Sequence, residues 1–249
     1  MGTTARQVIE ITPRDERERA LWAATLDLAD LLDGLPWTLV GAQMVMLHAF
    51  EAGEAPGRTT RDLDLLFDVR AYVGATAEAS RRLLVTGFTQ TRPSPDGVAH
   101  RFSNGVVLVD VLAPEGLGRC TPRATIAGGR TVEVPGGSQA LERTEIVDVR
   151  LGGRVDKLPR PSLLGAILLK ARAVGVAPGE AAKHRGDLAF LLGLADDPRS
   201  LAGSLRKTER TWLRSRRELA DRAHQAWRMS RRPDDAFLTL RILVRDPEE

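Results

Sequence analysis

The sequence predicts an α+β fold in which a mixed sheet flanked by helices is followed by a C-terminal helical domain. Up to about residue 149, short runs of β-branched residues alternate with turn signals and two amphipathic stretches. After Pro159-Arg160-Pro161 the pattern changes to helical periodicity. We therefore expect a division near residue 155, between an α/β core domain at 1–155 and a helical domain at 156–249.

The N-terminal part predicts a helix, a strand and a second helix in succession. Leucines recur among charged residues from Asp15 to Leu32, which is typical of an amphipathic helix. Trp37–Val40 reads as a strand that runs through Gly41-Ala42-Gln43 into a helical stretch, Met44–Phe50. Such a strand, glycine turn and helix would place unpaired backbone N–H groups, which can bind an anion, at the helix N-terminus.

An Asp-x-Asp pair is the most informative motif. Asp62 and Asp64 open a short apolar run that ends at Phe67. In a strand they would lie on the same face, where two carboxylates can hold a divalent cation. Alone the motif is weak, since an aspartate-rich chain contains such pairs by chance on solvated loops.

A third carboxylate lies in a nearly all-apolar run. Val106–Val111 is interrupted only by Asp110, and the Ser103-Asn104-Gly105 turn predicts a hairpin with the preceding segment. A buried carboxylate is costly unless it is paired, protonated or bound to metal. Asp110 therefore either joins the Asp62 and Asp64 site or ends its strand and points to water.

The C-terminal part predicts four helices, Leu163–Val174, Ala181–Leu194, Leu201–Arg228 and Asp235–Val244. From Arg199 to Arg232 the chain has 11 Lys or Arg and 3 Asp or Glu, a net charge of +8 against +3 for the whole chain. The segment could bind an RNA backbone, but a solvated helix face is the commoner meaning of such a pattern.

Composition limits the classes of protein. With 249 residues, 43% of them hydrophobic and 28% charged, the chain suits a soluble globular protein. The single cysteine, Cys120, excludes an intramolecular disulfide and a cysteine-based zinc site, and fits a reducing, cytoplasmic location. Apolar runs are too short to cross a bilayer and the N-terminus lacks a signal-peptide pattern, so neither a membrane partner nor secretion is expected.

Taken in order, these motifs resemble the DNA polymerase β-type nucleotidyltransferase superfamily, and most closely its abortive-infection AbiEii-like branch, whose members serve as toxins of toxin–antitoxin pairs. The resemblance covers roughly residues 35 to 195 and rests on an ordered set of residues: Gly41-Ala42-Gln43, Arg58, Thr60, Asp62, Asp64, Asp110, Lys170 and Asp187. It implies a nucleotidyltransferase-type fold.

The resemblance also implies roles for these residues. The glycine turn would cradle the triphosphate of an NTP, Asp62 and Asp64 would bind Mg²⁺, and Asp110 would complete the metal site or act as base. Arg58 and Thr60 would contact the nucleotide. Lys170 would add positive charge at the phosphates and Asp187 would orient Lys170 or the acceptor.

Simpler interpretations of the last two residues stay open. Lys170 could extend along a packed helix, and Asp187 could pair with Lys183 on the helix surface. Ala42 stands where the superfamily usually has a second glycine or a serine, which removes a hydroxyl contact to phosphate but keeps the backbone N–H.

Three functions follow from the resemblance. The leading one is Mg²⁺-dependent transfer of NMP from an NTP to an acceptor hydroxyl, such as that of an RNA or tRNA 3′ end, by a toxin-like enzyme with an antitoxin partner. The second is transfer to a small molecule, as in aminoglycoside-modifying enzymes that share this core. The third is a catalytically silent nucleotide-binding or partner-binding module.

Overall fold

The computed structural model describes residues 8–94, 97–118, 125, 129–175 and 178–246, so Cys120 lies outside the described residues. Within these ranges the chain forms a three-stranded and a six-stranded sheet. The strands are β1 (Ile9–Glu10), β2 (Trp37–Val40), β3 (Asp62–Phe67), β4 (Thr89–Gln90), β5 (Arg101–Ser103), β6 (Leu108–Pro114), β7 (Val132–Val134), β8 (Thr144–Leu151) and β9 (Arg154–Pro161).

The larger sheet is mixed, as predicted. Its order is β2-β3-β6-β5-β4, with β7 paired to β6, and β3 and β6 are parallel while β2 and β5 run antiparallel to their neighbours. The smaller sheet has the order β1-β8-β9. The α+β class is thus confirmed.

Helices cover the sheets and form most of the C-terminal part: α1 (Glu16–Leu31), α2 (Gly41–Glu51), α3 (Ala75–Val85), α4 (Gly137–Glu142), α5 (Leu163–Ala173), α6 (Ala181–Gly193), α7 (Pro198–Gly203), α8 (Lys207–Arg214) and α9 (Pro233–Val244). Local signals set the starts of two of them. Asp15 caps α1 by accepting the N–H of Glu18, and Ser162 caps α5 by accepting the N–H of Gly165.

The two central strands position the polar site. Leu63 and Leu65 of β3 and Val109 and Val111 of β6 are fully buried in the hydrophobic core. Because successive side chains of a strand point to opposite faces, the aspartates between these residues face the other way. The apolar alternation therefore fixes which face carries the carboxylates.

The hairpin predicted around Ser103-Asn104-Gly105 is confirmed, since β5 and β6 pair in antiparallel fashion across this turn. The following strand begins at Leu108 instead of Val106, because Asn104 Oδ1 accepts the N–H groups of Val106 and Val107 and keeps them in the turn.

The single helix expected from Leu201 to Arg228 is wrong. The segment contains α7, α8 and two short 3₁₀ turns, Arg217–Ala220 and Gln225–Met229. The Arg210 guanidinium explains the first break, because it donates to the carbonyl oxygens of Ala202, Leu243 and Arg245. In a continuous helix the Ala202 carbonyl would accept the N–H of Arg206. It instead accepts from the N–H of Leu205 and from Arg210 Nη2, and the N–H of Arg206 donates to Glu209 Oε2.

The division at residue 155 stays a prediction. Residue 155 lies inside β9, all eight residues of which pair with β8. Buried hydrophobic residues from Ile9 to Leu243 form one core cluster. In the described ranges, no helix is long and apolar enough to cross a membrane.

Candidate active site

A cleft of about 540 Å³ opens where β2 ends, β3 begins and α5 and α6 approach the sheet. It contains eight of the ten residues that the sequence singled out. Its lining is Gly41, Ala42, Arg58, Thr59, Thr60, Arg61, Asp62, Asp64, Arg101, Asp110, Lys170, Glu180, Lys183 and His184. Gln43 and Asp187 are not among the lining residues.

 Thr60 lines the cleft and lies two residues before Asp62. Its hydroxyl interacts with the backbone N–H and carbonyl of Asp62, each at 3.2 Å, and this contact shapes the start of β3. The volume falls in the range of small-molecule sites, about 300–1,000 Å³.

The helix start at Gly41 depends on the absence of a side chain. Gly41 has a φ of 72°, and a Cβ there would stand 1.8 Å from Asp64 Oδ2. Only glycine therefore allows the chain to turn from β2 into α2 against this carboxylate. Gly41 and Ala42 line the cleft, and the first N–H groups of a helix lack intrahelical acceptors, so this turn can bind an anion.

Gln43 does not take part in the site through its side chain. It is fully buried, and its Nε2 donates to Thr25 Oγ1 at 2.7 Å, which ties α2 to α1. The expected contact of Gln43 with a nucleotide thus has no support from its side chain.

Asp62 and Asp64 lie on the same face of β3 and both line the cleft. Burial, followed by the nearby carboxylate of Asp110, raises the pKa of Asp64 to about 6. No hydrogen bond or ion pair within the described residues engages the Asp64 side chain. Two carboxylates one strand period apart, one of them unpaired, fit a hard divalent cation such as Mg²⁺.

Asp110 has a partner that the sequence did not reveal. In the sheet register Asp110 stands opposite Asp64 on one side and Arg101 on the other. The Arg101 guanidinium donates to both oxygens of Asp110, at 2.8 and 2.7 Å. In the described part of the chain no group of three or more His, Cys, Asp or Glu is arranged to hold a metal ion. The hairpin turn was visible in the sequence, and its register could have indicated Arg101.

Lys170 and Asp187 form a buried ion pair at the inner wall of the cleft. Lys170 Nζ lies 2.9 Å from Asp187 Oδ2, and the side chain of each residue is only 3% exposed. Arg58 completes the cluster by donating from Nε and Nη2 to the two oxygens of Asp187, each at 2.8 Å. Burial alone would raise the pKa of Asp187, but Lys170 and Arg58 together bring it below its usual value.

This cluster decides between the simpler interpretations. Lys170 pairs with a carboxylate instead of extending along an apolar interface, and Lys183 pairs with Glu180 at 2.8 Å instead of with Asp187. Lys170 and Arg58 reach the cleft, whereas Asp187 lies behind them. The structure thus makes Asp187 an anchor for two cleft cations.

A methionine supports this anchor from behind. Met229 fills the space next to Gly57 and Gly186, where an added Cβ would stand 3.3 Å from Met229 Cε and 2.9 Å from Met229 Cγ, respectively. These glycines directly precede Arg58 and Asp187 in the chain. The close approach of Met229 therefore brings the C-terminal part of the chain against the Arg58 and Asp187 pair.

His184, which no sequence motif indicates, lines the cleft beside Lys170. Burial, followed by the charge of Lys170, lowers the pKa of His184 to about 4, so its ring is neutral near pH 7. Its Nδ1 is buried and has no hydrogen-bond partner within the described residues. A neutral imidazole here can exchange one hydrogen bond with a bound ligand.

Comparison with known proteins yields a distant match. No protein-family model matches this chain, and no curated protein matches it. A crystal structure of ANT(2″)-Ia in complex with adenylyl-2″-tobramycin is 17% identical, covers 80% of this chain and 98% of that chain, and gives a TM-score of 0.42. A solution structure of the antibiotic-resistance factor ANT(2″)-Ia is 18% identical, with coverages of 82% and 94% and a TM-score of 0.43. Similarity at this level does not assign the chain to a family.

Proposed function

We propose that this chain is a Mg²⁺-dependent nucleotidyltransferase that moves NMP from an NTP to an acceptor hydroxyl. The observation that carries the proposal is the paired carboxylate face of Asp62 and Asp64 directly beside the Gly41 helix start. A cation site next to an anion site is what a metal-bound triphosphate requires.

The residues of the cleft divide the chemistry between them. Asp62 and Asp64 would hold Mg²⁺, which would neutralise charge that develops on the phosphate oxygens. The N–H groups at Gly41 and Ala42 and the cations Arg58 and Lys170 would bind the triphosphate. In the transfer, the acceptor oxygen bonds to the α-phosphorus as the bond to pyrophosphate breaks.

The proton of the acceptor hydroxyl needs a base. Asp110 remains the candidate in this proposal, because the two bonds from Arg101 occupy two of the roughly four acceptor positions of a carboxylate. The bidentate pair also fixes the orientation of the Asp110 carboxylate, which lies on the strand next to the one that carries Asp64.

For the acceptor we favour a small molecule over RNA. The cleft has a small-molecule volume, and its five Lys and Arg side chains face four carboxylates, so it does not form a strongly basic groove. The basic segment that could bind RNA, Arg199 to Arg232, is partly neutralised by ion pairs, which are Arg206 with Glu142, Arg214 with Asp246, Arg222 with Asp234 and Arg232 with Glu54. The RNA-modifying toxin, and with it an antitoxin partner, is therefore the second candidate.

Transfer assays with α-labelled NTPs and Mg²⁺ test this function. The acceptors would be a panel of hydroxyl-bearing small molecules, aminoglycosides among them, and total RNA in a parallel reaction. We expect label on a small molecule, and its loss in Asp62→Asn and Asp64→Asn but not in the exposed control Asp27→Asn. Label on RNA alone would reverse the choice of acceptor, and no Mg²⁺-dependent binding of any NTP would favour a silent module.

A further inference from the structure

Arg101 occupies a fixed place beside the carboxylates of the cleft. It stands directly opposite Asp110 in the antiparallel β5–β6 pair, where side chains share one face of the sheet. Its Nη2 is 2.7 Å from Asp110 Oδ2 and 3.6 Å from Asp62 Oδ2. The register of two strands, and not a flexible loop, therefore holds this guanidinium between two of the three predicted metal ligands.

The ion pair with Arg101 neutralises the charge of the Asp110 carboxylate. The Asp110 side chain is 8% exposed, and an unpaired carboxylate at this position next to Asp64 would be costly. Two parallel N–H···O bonds make the strongest common form of a carboxylate ion pair. A cation that bound Asp110 directly would have to share its oxygens with these two bonds and to approach a fixed positive charge.

The neighbouring cations do not offer Asp110 an equivalent partner. His100 Nε2 is 3.8 Å from Asp110 Oδ1, beyond hydrogen-bond distance. Lys170 and Arg58 are bonded to Asp187. Arg101 is therefore the principal counter-ion of Asp110 among the described residues.

We propose that Arg101 keeps Asp110 out of the divalent-cation site, so that, among the described residues, the carboxylates of Asp62 and Asp64 alone hold the cation. The inference rests on the proposed function, because it concerns the same cation site. It replaces the three-carboxylate arrangement expected from the sequence with a two-carboxylate site and a separate Arg101–Asp110 pair.

The binding of Mn²⁺ in the absence of nucleotide tests this inference, with free Mn²⁺ measured by electron paramagnetic resonance. Arg101→Gln frees Asp110 to act as a third ligand, so we expect Mn²⁺ to bind about tenfold more tightly. Arg101→Gln/Asp110→Asn removes the pair as a unit, and we expect its affinity to stay within about threefold of the unmodified chain.

Two results would overturn the inference. One is a loss of Mn²⁺ affinity of about tenfold or more in Arg101→Gln/Asp110→Asn, which would make Asp110 a ligand in spite of Arg101. The other is an unchanged affinity in a folded Arg101→Gln. If Arg101→Gln does not fold, Arg101→Gln/Asp110→Asn still tests the inference, because it removes both charges of the pair and leaves neither one unpaired.

Failure of the proposed function gives a different result. Asp62→Asn/Asp64→Asn should abolish Mn²⁺ binding. If this variant still binds Mn²⁺, the assignment of the cation site to Asp62 and Asp64 is wrong, independently of the role of Arg101. Since no nucleotide or turnover is needed, the Arg101 measurements do not depend on the identity of the acceptor.

Discussion

Replacement of Asp64 by asparagine should stabilise the protein while it removes the cation site. The structure places this carboxylate against Gly41 and opposite Asp110, and its pKa is raised from 3.8 to about 6. A raised carboxyl pKa means that the ionised form is less favourable in the folded chain than in the unfolded chain. Asp64→Asn keeps the shape of the side chain and removes the charge.

The pKa shift gives an upper limit for the effect. At about 1.4 kcal/mol per unit, the two-unit shift corresponds to at most about 3 kcal/mol in the free energy of unfolding at pH 7.5. For a chain of this size that amounts to a rise in Tm of up to about 10 °C. The cost of the charge is complete above the folded pKa of Asp64, about 6, and disappears as the pH falls below the unfolded pKa, 3.8.

Thermal unfolding in EDTA, from pH 4 to pH 7.5, measures this difference. Asp64→Asn should be the more stable protein at pH 7.5, and its advantage should shrink towards pH 4, where both side chains are uncharged. Mg²⁺ should stabilise the unmodified protein and leave the variant unaffected. An Asp64→Asn protein that is less stable at pH 7.5, or whose advantage does not depend on pH, would refute this reasoning.

Three further predictions concern other parts of the cleft. Gly41→Ala should abolish Mg²⁺-dependent nucleotide binding and lower the free energy of unfolding by more than about 1 kcal/mol, because the left-handed backbone is strained and the methyl group collides with a carboxylate. Asp187→Asn should destabilise the protein by about 3 kcal/mol, since it leaves Lys170 buried without its carboxylate partner, and should weaken NTP binding. The imidazole of His184, with its pKa lowered to about 4, should show no protonation-dependent change in its NMR chemical shifts between about pH 5.5 and pH 8, roughly the range in which an ordinary histidine titrates.

Matched controls separate specific from general effects. Gly34 also has a positive φ, 78°, but a Cβ at this position would meet only open space, so Gly34→Ala should retain nucleotide binding. An equal loss of nucleotide binding in Gly34→Ala and Gly41→Ala would contradict the predicted collision of the methyl group added at position 41 with Asp64. Asp27→Asn breaks an exposed ion pair and should cost less than about 1 kcal/mol; an Asp187→Asn effect no larger than this would contradict the buried cluster. A titration midpoint near the ordinary value would contradict the assigned pKa of His184.

Much of the fold could be predicted because its signals are local. The alternation of apolar and acidic residues in β3, the glycine turn at Gly41 and the cap at Ser162 each depend on a few neighbouring residues. Such signals also indicated that Asp62 and Asp64 share a face.

The remaining features depend on contacts between distant segments. Arg58 and Asp187 are 129 positions apart, and their bidentate pair requires a loop and a helix to meet. The broken helix depends on carbonyl groups that Arg210 reaches in other elements. The pairing of Arg101 with Asp110 depends on strand register, which follows from the hairpin turn and not from a motif that contains the two residues.

The most direct test of the central claim follows the α-phosphate and the γ-phosphate of the NTP separately. The protein would be incubated with Mg²⁺, the acceptor and NTP labelled either at the α-phosphate or at the γ-phosphate. Nucleotidyl transfer predicts that the α label moves to the acceptor, that the γ label appears in pyrophosphate, and that Asp62→Asn/Asp64→Asn abolishes both. Transfer of the γ label to the acceptor, or α-label transfer that persists in this variant, would contradict the account.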